Sequence, residues 1–190
     1  MFFKSLQWRL IVIFITVTFS LMVFVSIMLN RSVESSYYDL FRSDLEQAFD
    51  RVSLYPDNNL SPDEIQKKLE DPTFSPMKGE FRSYTIINKD TSLIVESTDK
   101  NYIKDKIKFN EDIMKSENLI SAFAALIGKK EKLTRNGEEA FFDYAYPVGN
   151  YVLYFKLDSG EWRNTINKFN SSIYFSGSIS IIISLLLGFI

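Results

Sequence analysis

The chain of 190 residues contains no cysteine and no histidine. Without cysteine it forms no disulfide and offers no thiolate for redox or nucleophilic chemistry. Without histidine it cannot build the common zinc sites, which draw on Cys and His, nor a Ser-His or Cys-His nucleophile pair. A phospho-accepting imidazole is excluded as well. The chain also lacks an excess of positive charge, its formal net charge being −2. Of its 22 basic residues only Lys4 and Arg9 lie outside the segment Asn30 to Ser172, and all 24 acidic residues lie within it. That mildly acidic segment gives no electrostatic reason to expect nucleic acid.

Two stretches lack charge altogether. They are Leu10 to Leu29 (LIVIFITVTFSLMVFVSIML) and Ile173 to Ile190 (IYFSGSISIIISLLLGFI). Roughly 20 apolar residues, at about 1.5 Å rise each, cross the hydrocarbon core of a bilayer as a helix. The expected organisation is a cytoplasmic N-terminus (1–9), a transmembrane helix (10–29), an extracytoplasmic domain (30–172) and a second transmembrane helix (173–190) cut short by the chain end. The first run reads as a retained anchor. It exceeds the usual signal-peptide core of about 7–15 residues and exits through Ser26 to Arg31 without an A-x-A site. Lys4 and Arg9 orient it with the N-terminus inside, giving a two-pass cell-membrane protein. Trp8 and Tyr174 stand at span ends, where amphipathic rings favour the headgroup region.

Beyond the first run, Val33, Tyr37, Leu40, Phe41, Leu45, Ala48, Phe49 and Val52 recur at helical spacing and predict a stalk helix to about Leu54. Tyr55-Pro56-Asp57-Asn58-Asn59 ends it. Ser61, Pro62 and Glu64 then form a capping box with proline at the first helical position, and Leu60 and Ile65 a hydrophobic staple, for a helix ending near Glu70. Asp71 to Glu80 reads as loop. Phe81 to Asn88 and Ser92 to Ser97 read as a hairpin, and Ser97 to Asn101 as a break. A helix is expected over Glu111 to Ile127, with Ile113, Met114, Leu119, Ile120, Phe123, Ala124 and Ile127 on its apolar side and Gly128 at its C′ position beside Lys129 and Lys130. Strands over Lys132 to Arg135, Ala140 to Val148 and Tyr151 to Leu157, with turns at Asn136-Gly137 and Gly149-Asn150, complete an antiparallel meander. Asp158 or Ser159 caps a last helix, with Glu161 at the capping-box position and Trp162, Ile166, Phe169 and Ile173 on one face. The fold class is therefore α+β.

Three stretches resemble the input half of bacterial two-component sensor histidine kinases. Met1 to Leu29 is similar to the start of Gram-positive sensor kinases of the WalK-like kind. Ile87 to Asp90 through Val95 to Asp99 resembles the hairpin D-x-x-G-x-I-x-x-S-T-D of PAS-like sensors, with Thr91-Ser92 where that hairpin carries glycine. Phe142 to Val148, followed by Tyr151 to Leu157, resembles their last two strands, where Y-x-x-P-V leads into a hydrophobic strand and an exit helix. The resemblance implies an extracytoplasmic PAS-like (PDC, single Cache) domain with a central antiparallel sheet and a long N-terminal helix, flanked by two transmembrane helices. It implies a homodimer, an unknown small-molecule or envelope-protein signal, and no cofactor in this chain. ATP and Mg, and a response regulator as partner, are implied only for a kinase part past Ile190.

In such domains the pocket lies on one sheet face, under the helix and loops between the hairpin and the later strands. Alternation puts Arg82, Tyr84 and Ile86 on one face of the first strand and Phe142, Tyr144 and Tyr146 on one face of the penultimate strand. Tyr84, Tyr144 and Tyr146 are candidates to line a pocket in which Arg82 anchors a carboxylate through its planar fork. The plainer alternative makes the tyrosines sheet-core residues and Arg82 a solvated edge residue. Ser97-Thr98-Asp99-Lys100, Ser75-Pro76-Met77-Lys78 and Ser116-Glu117-Asn118 match fragments of serine acyl-transferase motifs, but K-T-G is absent and Pro76 opposes the required helix. Asn170-Ser171-Ser172 fits a glycosylation sequon by chance, and Asp57-Asn58-Asn59 lacks the glycine and distal glutamate of a calcium loop. Two other readings stay open: the input of a chemoreceptor or cyclic-dinucleotide enzyme, and an envelope scaffold that binds a protein.

Overall fold

The computed structural model describes residues 6–56, 59–124, 131–133 and 141–188. The expected turns at Asp57-Asn58 and Asn136-Gly137, and the helix end at Gly128 with Lys129 and Lys130, lie outside them. The chain divides into two compact units, Tyr37–Glu161 and Met1–Ser36 with Trp162–Ile190.

The Tyr37–Glu161 unit is α+β. Its strands are β1 (Arg82–Asn88), β2 (Ile94–Ser97), β3 (Glu131–Leu133), β4 (Phe141–Val148) and β5 (Tyr151–Asp158). They form one antiparallel sheet in the order β2-β1-β5-β4-β3. β5 lies at the centre, and Val152 to Leu157 are buried without a break. A strand covered on both faces is buried along its length rather than alternately, and here the run is apolar but for Lys156. β3 pairs only with Phe141 to Asp143, so the rest of β4 faces no described strand on that side and tolerates Pro147. Gly149, at φ +52°, makes the β4–β5 turn.

In the β1–β2 turn the Asn88 side-chain oxygen accepts from the Asp90 and Thr91 amides at 2.9 and 3.0 Å. Ser92 takes φ +55° there. The left-handed backbone usually given to glycine is thus held by serine, with the side-chain hydrogen bonds of Asn88 around it.

The helix α1 (Leu6–Arg51) contributes to both units. Within the α+β unit it buries Tyr38, Phe41, Leu45, Ala48, Phe49 and Val52, while Leu40 is exposed. The expected stripe therefore holds from Phe41 onward, and at its start Tyr38, which meets Phe142 at 5.1 Å between ring centres, is buried in place of Tyr37. The helix ends in a Schellman arrangement. Ser53 takes φ +54°, the Leu54 amide donates to the Phe49 carbonyl at 2.9 Å, and the Ser53 amide to Asp50 at 3.2 Å. The Lys68 ammonium donates to the Val52 carbonyl from the next helix.

That helix is α2 (Pro62–Leu69), and its start is as the sequence implies. Ser61 caps Glu64 and Glu64 reaches back to Ser61, with Pro62 in the first turn. A 3-10 turn, Ser75–Met77, leads to β1. Between β2 and β3 lie three short helices, where one was expected, over Glu111 to Ile127. They are α3 (Lys100–Lys104), α4 (Lys106–Ile113) and α5 (Glu117–Phe123). Each starts at its own N-cap: Asp99, Asp105 and Ser116. The cap at Ser116 divides the expected helix, because its side chain competes with the helix for backbone amides. The break rotates the apolar face, so Ile113 and Leu119 are buried and Ile120 is 57% exposed.

The last helix, α6, runs from Gly160 to Gly188. The expected capping box from Asp158 is not formed. Asp158 is the last residue of β5 and its carboxylate lies 2.9 Å from the Lys156 ammonium. Glu161 is instead taken up by Arg82. A Cβ on Gly160 would fall 2.2 Å from the Phe81 ring, so the residue leading into β1 packs on the start of α6 where the lack of a side chain leaves room.

In the other unit, α1 and α6 are both long and apolar enough to cross a membrane, over Trp8–Arg51 and Gly160–Leu186. Large apolar side chains face outward along both, among them Phe14, Phe19, Phe24, Phe175, Ile182 and Leu186. Gly177 packs against Met22, whose sulfur would lie 2.0 Å from an added Cβ. Asn170 donates to Asn30 at 3.3 Å and the Trp162 indole to Glu34 at 3.4 Å. All four residues belong to this unit.

Ser61→Ala removes the side-chain half of the α2 cap. It is expected to lower the stability of the α+β unit by about 1 kcal/mol, measured by chemical denaturation.

Candidate functional site

Strand pleating sorts the sheet into two faces of different chemistry. Register places Arg82, Leu157 and Phe142 in one row, Tyr84, Phe155 and Tyr144 in the next, and Ile86, Leu153 and Tyr146 in a third. Arg82, Tyr84, Tyr144 and Tyr146 therefore share a face. It is the face covered by α1, whereas the sequence had put them under the helices between the hairpin and the later strands. Alternation fixes which residues share a side; which helix covers that side is decided by packing.

Tyr146 stacks on Phe49 at 4.3 Å, and Phe155 lies 5.6 Å from Phe49 and 6.4 Å from Phe74. The Tyr144 hydroxyl donates to Glu46 at 3.4 Å, and Arg42, itself paired with Glu46 at 2.7 Å, lies 5.9 Å from the Tyr144 ring. Burial raises the Tyr144 hydroxyl above its ordinary pKa, with Glu46 adding to the effect. Burial likewise pushes Tyr84 up to about 12, with Glu70 and Glu96 contributing. Tyr146 is raised by burial first and then by Asp50. These phenols stay protonated and neutral at physiological pH.

Arg82 already holds a carboxylate. One guanidinium nitrogen lies 2.8 Å from Glu161 and another donates to the Pro76 carbonyl at 2.8 Å. Its head sits 5.7 Å from the Phe41 ring. Arg82 thereby joins β1 to α1, to the loop after α2 and to the first turn of α6. The fork expected to bind a ligand carboxylate is occupied by one from the chain itself.

The opposite face carries the buried polar groups. An apolar base of Ile87, Ala145, Val152 and Tyr154 packs against Phe109, Ile113, Leu119 and Ala122 of α4 and α5. Beside it, Asp143 is fully buried. Its carboxylate accepts from the Ser116 hydroxyl at 2.5 Å and the Asn118 amide at 2.7 Å. Ser116 also accepts from the Leu119 amide at 3.2 Å, so one hydroxyl caps α5 and ties it to β4. Burial raises the Asp143 pKa, opposed by the hydrogen bonds from Ser116, Asn118 and Tyr154. The serine motif fragment Ser116-Glu117-Asn118 is thus a helix cap directed at a carboxylate.

A second buried group adjoins it. Lys156, the cross-strand neighbour of Asp143, lies 3.3 Å from Asp99 and 4.8 Å from the Phe141 ring. Asp99 also accepts from Asn101 and Ser83 and caps α3. Ser97 shares a hydrogen bond of 2.8 Å with Thr85, so neither it nor the S-x-x-K fragment around it is presented as a nucleophile. Among the described residues no group of His, Cys, Asp and Glu is arranged to hold a metal ion. Sequence reasoning passed over Asp143 and Lys156. Their signal was two charged residues inside otherwise apolar strands, where burial demands partners. No protein-family model matches the chain, and no curated protein matches it significantly.

The Asp143 pKa is raised in the folded state, so folding binds a proton as pH falls toward the unfolded value of about 3.9. Its charged form costs stability above the folded pKa, and the cost vanishes at acid pH. Relative to Asp143→Asn, the wild-type chain is expected to lose stability as pH rises from about 4, read from denaturation midpoints across pH. Lys156→Met leaves Asp99 buried without its cation, and calorimetry is expected to show a loss of about 3–5 kcal/mol.

Proposed function

We propose that this chain is the sensory input module of a membrane-bound two-component sensor histidine kinase. In this reading the Tyr37–Glu161 unit is an extracytoplasmic PAS-like domain. The N-terminus is cytoplasmic, the protein is two-pass, and α6 hands the signal to a cytoplasmic kinase. The observation that carries it is the absence of any linker at either junction. α1 passes from the apolar stretch into the α+β unit as one helix, and α6 begins at Gly160, two residues after β5 ends. The supporting features are two helices of membrane length and an antiparallel sheet with the stalk helix on one face and the intervening helices on the other. The domain acts as a homodimer. A small molecule or envelope protein favours one of its arrangements and shifts the population by its differential affinity.

Helical continuity makes the reading testable without knowing the signal. The chain is joined after Ile190 to the cytoplasmic part of a histidine kinase. One to four residues are then inserted after Ser172, each turning the following helix by about 100°. Autophosphorylation is expected to rise and fall with the helical period, and Thr165→Gly with Ile166→Pro to abolish that dependence without lowering the melting temperature of the α+β unit. Output indifferent to both changes would count against transmission through α6. Topology is read separately, since the chain has no native cysteine. Glu111→Cys should react with an impermeant maleimide on intact cells, and Ser5→Cys should not.

A further inference from the structure

The Lys156 and Asp99 side chains are 8% and 4% exposed, with 3.3 Å between ammonium and carboxylate. The Phe141 ring lies 4.8 Å from the same ammonium. Two charges held in such surroundings forgo most of their hydration. An amide formed between them carries no charge, and the water formed with it is released to solvent. The burial that makes the ion pair costly therefore favours its dehydration.

The groups around the pair are those that an acyl transfer to an amine needs. Asp99 Oδ1 accepts from the Asn101 backbone amide at 2.7 Å, and Oδ2 from the Ser83 hydroxyl at 3.2 Å. Lys156 Nζ approaches Oδ2, so the carboxyl carbon stands one bond beyond it. The same Nζ lies 2.9 Å from Asp158 Oδ1, on a side chain 38% exposed and open to proton exchange with solvent. Asp143 stands opposite Lys156 in register, but its carboxylate is taken up by Ser116 and Asn118. Asp99 is the carboxyl that is buried, in reach of the amine and polarised by a backbone donor.

We propose that Lys156 and Asp99 join through an intramolecular isopeptide bond that the chain forms by itself. Nζ passes a proton to Asp158, and the freed electron pair attacks Asp99 Cγ to make the C–N bond. Negative charge collects on Oδ1, where the Asn101 amide stabilises it. The Cγ–Oδ2 bond then breaks. Oδ2 leaves as water, having taken the proton carried by Asp158 and a second one from the nitrogen, while Ser83 donates to it. Ammonium and carboxylate become amide and water, with no oxidant or other co-reactant, and the fold supplies the proximity. The bond ties β5 to the cap of α3 across 57 positions of sequence. In a chain without cysteine it provides the cross-link that a disulfide would give, by restricting the unfolded chain. Such a link serves the α+β unit whatever output the chain has.

Mass spectrometry of the purified full chain tests this. The wild type is expected to be one water lighter than its sequence mass. Lys156→Arg keeps a cation beside Asp99 but has no amine, and is expected at full mass. Trypsin should release a branched peptide joining residues 90–100 to residues 136–163, uncut after Lys156. In Asp158→Asn, whose partly exposed site preserves the circular dichroism spectrum, the lighter form should accumulate about a hundredfold more slowly after a pulse of synthesis. A wild-type chain at full mass overturns the proposal. So does a lighter chain without the branched peptide, which marks an aspartate cyclised on its own backbone. Equal rates in Asp158→Asn and the wild type overturn the proton transfer through Asp158.

Discussion

The antiparallel pairing of β1 with β5 is the constraint from which the rest of the α+β unit follows. Residues more than 60 apart in the chain meet in register from Arg82 with Leu157 to Asn88 with Tyr151. Such a long-range contact is entropically costly to close and is formed only because it completes a sheet with two covered faces. Closing it brings the start of β1 beside the end of β5. The Phe81 carbonyl then receives the Asp158 amide at 2.8 Å, and Arg82 reaches Glu161 in the first turn of α6. The point at which α6 leaves the sheet is therefore set by the first strand, far away in sequence. Gly160 is required there by the same closure.

The two faces stabilise the unit in different ways. On the α1 side, aromatic rings pack ring to ring, and Tyr38, Phe41, Phe49, Tyr144 and Phe155 are almost wholly buried. Such burial is non-directional and yields roughly 25 cal/mol per Å² removed from water. On the α3–α5 side, Asp143, Lys156 and Asp99 are buried with partners whose geometry leaves little freedom. Buried ion pairs and carboxylates add little net stability over apolar packing, but they penalise every arrangement that leaves them unpaired. Asp99 and Ser116 each cap a helix while also binding a strand residue, so α3 and α5 are fixed to the sheet by polar contacts of defined geometry.

Local signals in the sequence were good guides wherever the chain satisfied itself nearby. The Ser61–Glu64 capping box, the Gly149-Asn150 turn and the strands rich in aromatic and β-branched residues all form where adjacent residues supply the partners. The helix expected over Glu111 to Ile127 misled for the complementary reason. Its apolar spacing suggests one helix, while Ser116 offers a competing side-chain cap. The cap at Ser116 is reinforced by Asp143, a residue on a distant strand that no local window contains. Asp158 lost its expected capping role because β5 runs through it and sets its carboxylate beside Lys156 on the same strand face.

By itself the sequence determined the α+β class, two apolar helices of membrane length, the chemistry excluded by lacking cysteine and histidine, and which strand residues share a face. These follow from composition, period and nearest neighbours, which are intrinsic to the chain. The tertiary structure alone decided which face α1 covers, so that Arg82, Tyr84, Tyr144 and Tyr146 came to lie against the stalk helix. It also decided that Arg82 binds Glu161 and that Asp143 and Lys156 are buried with partners. Those outcomes depend on groups brought together by strand pairing, and a side chain's partner is chosen by proximity in space.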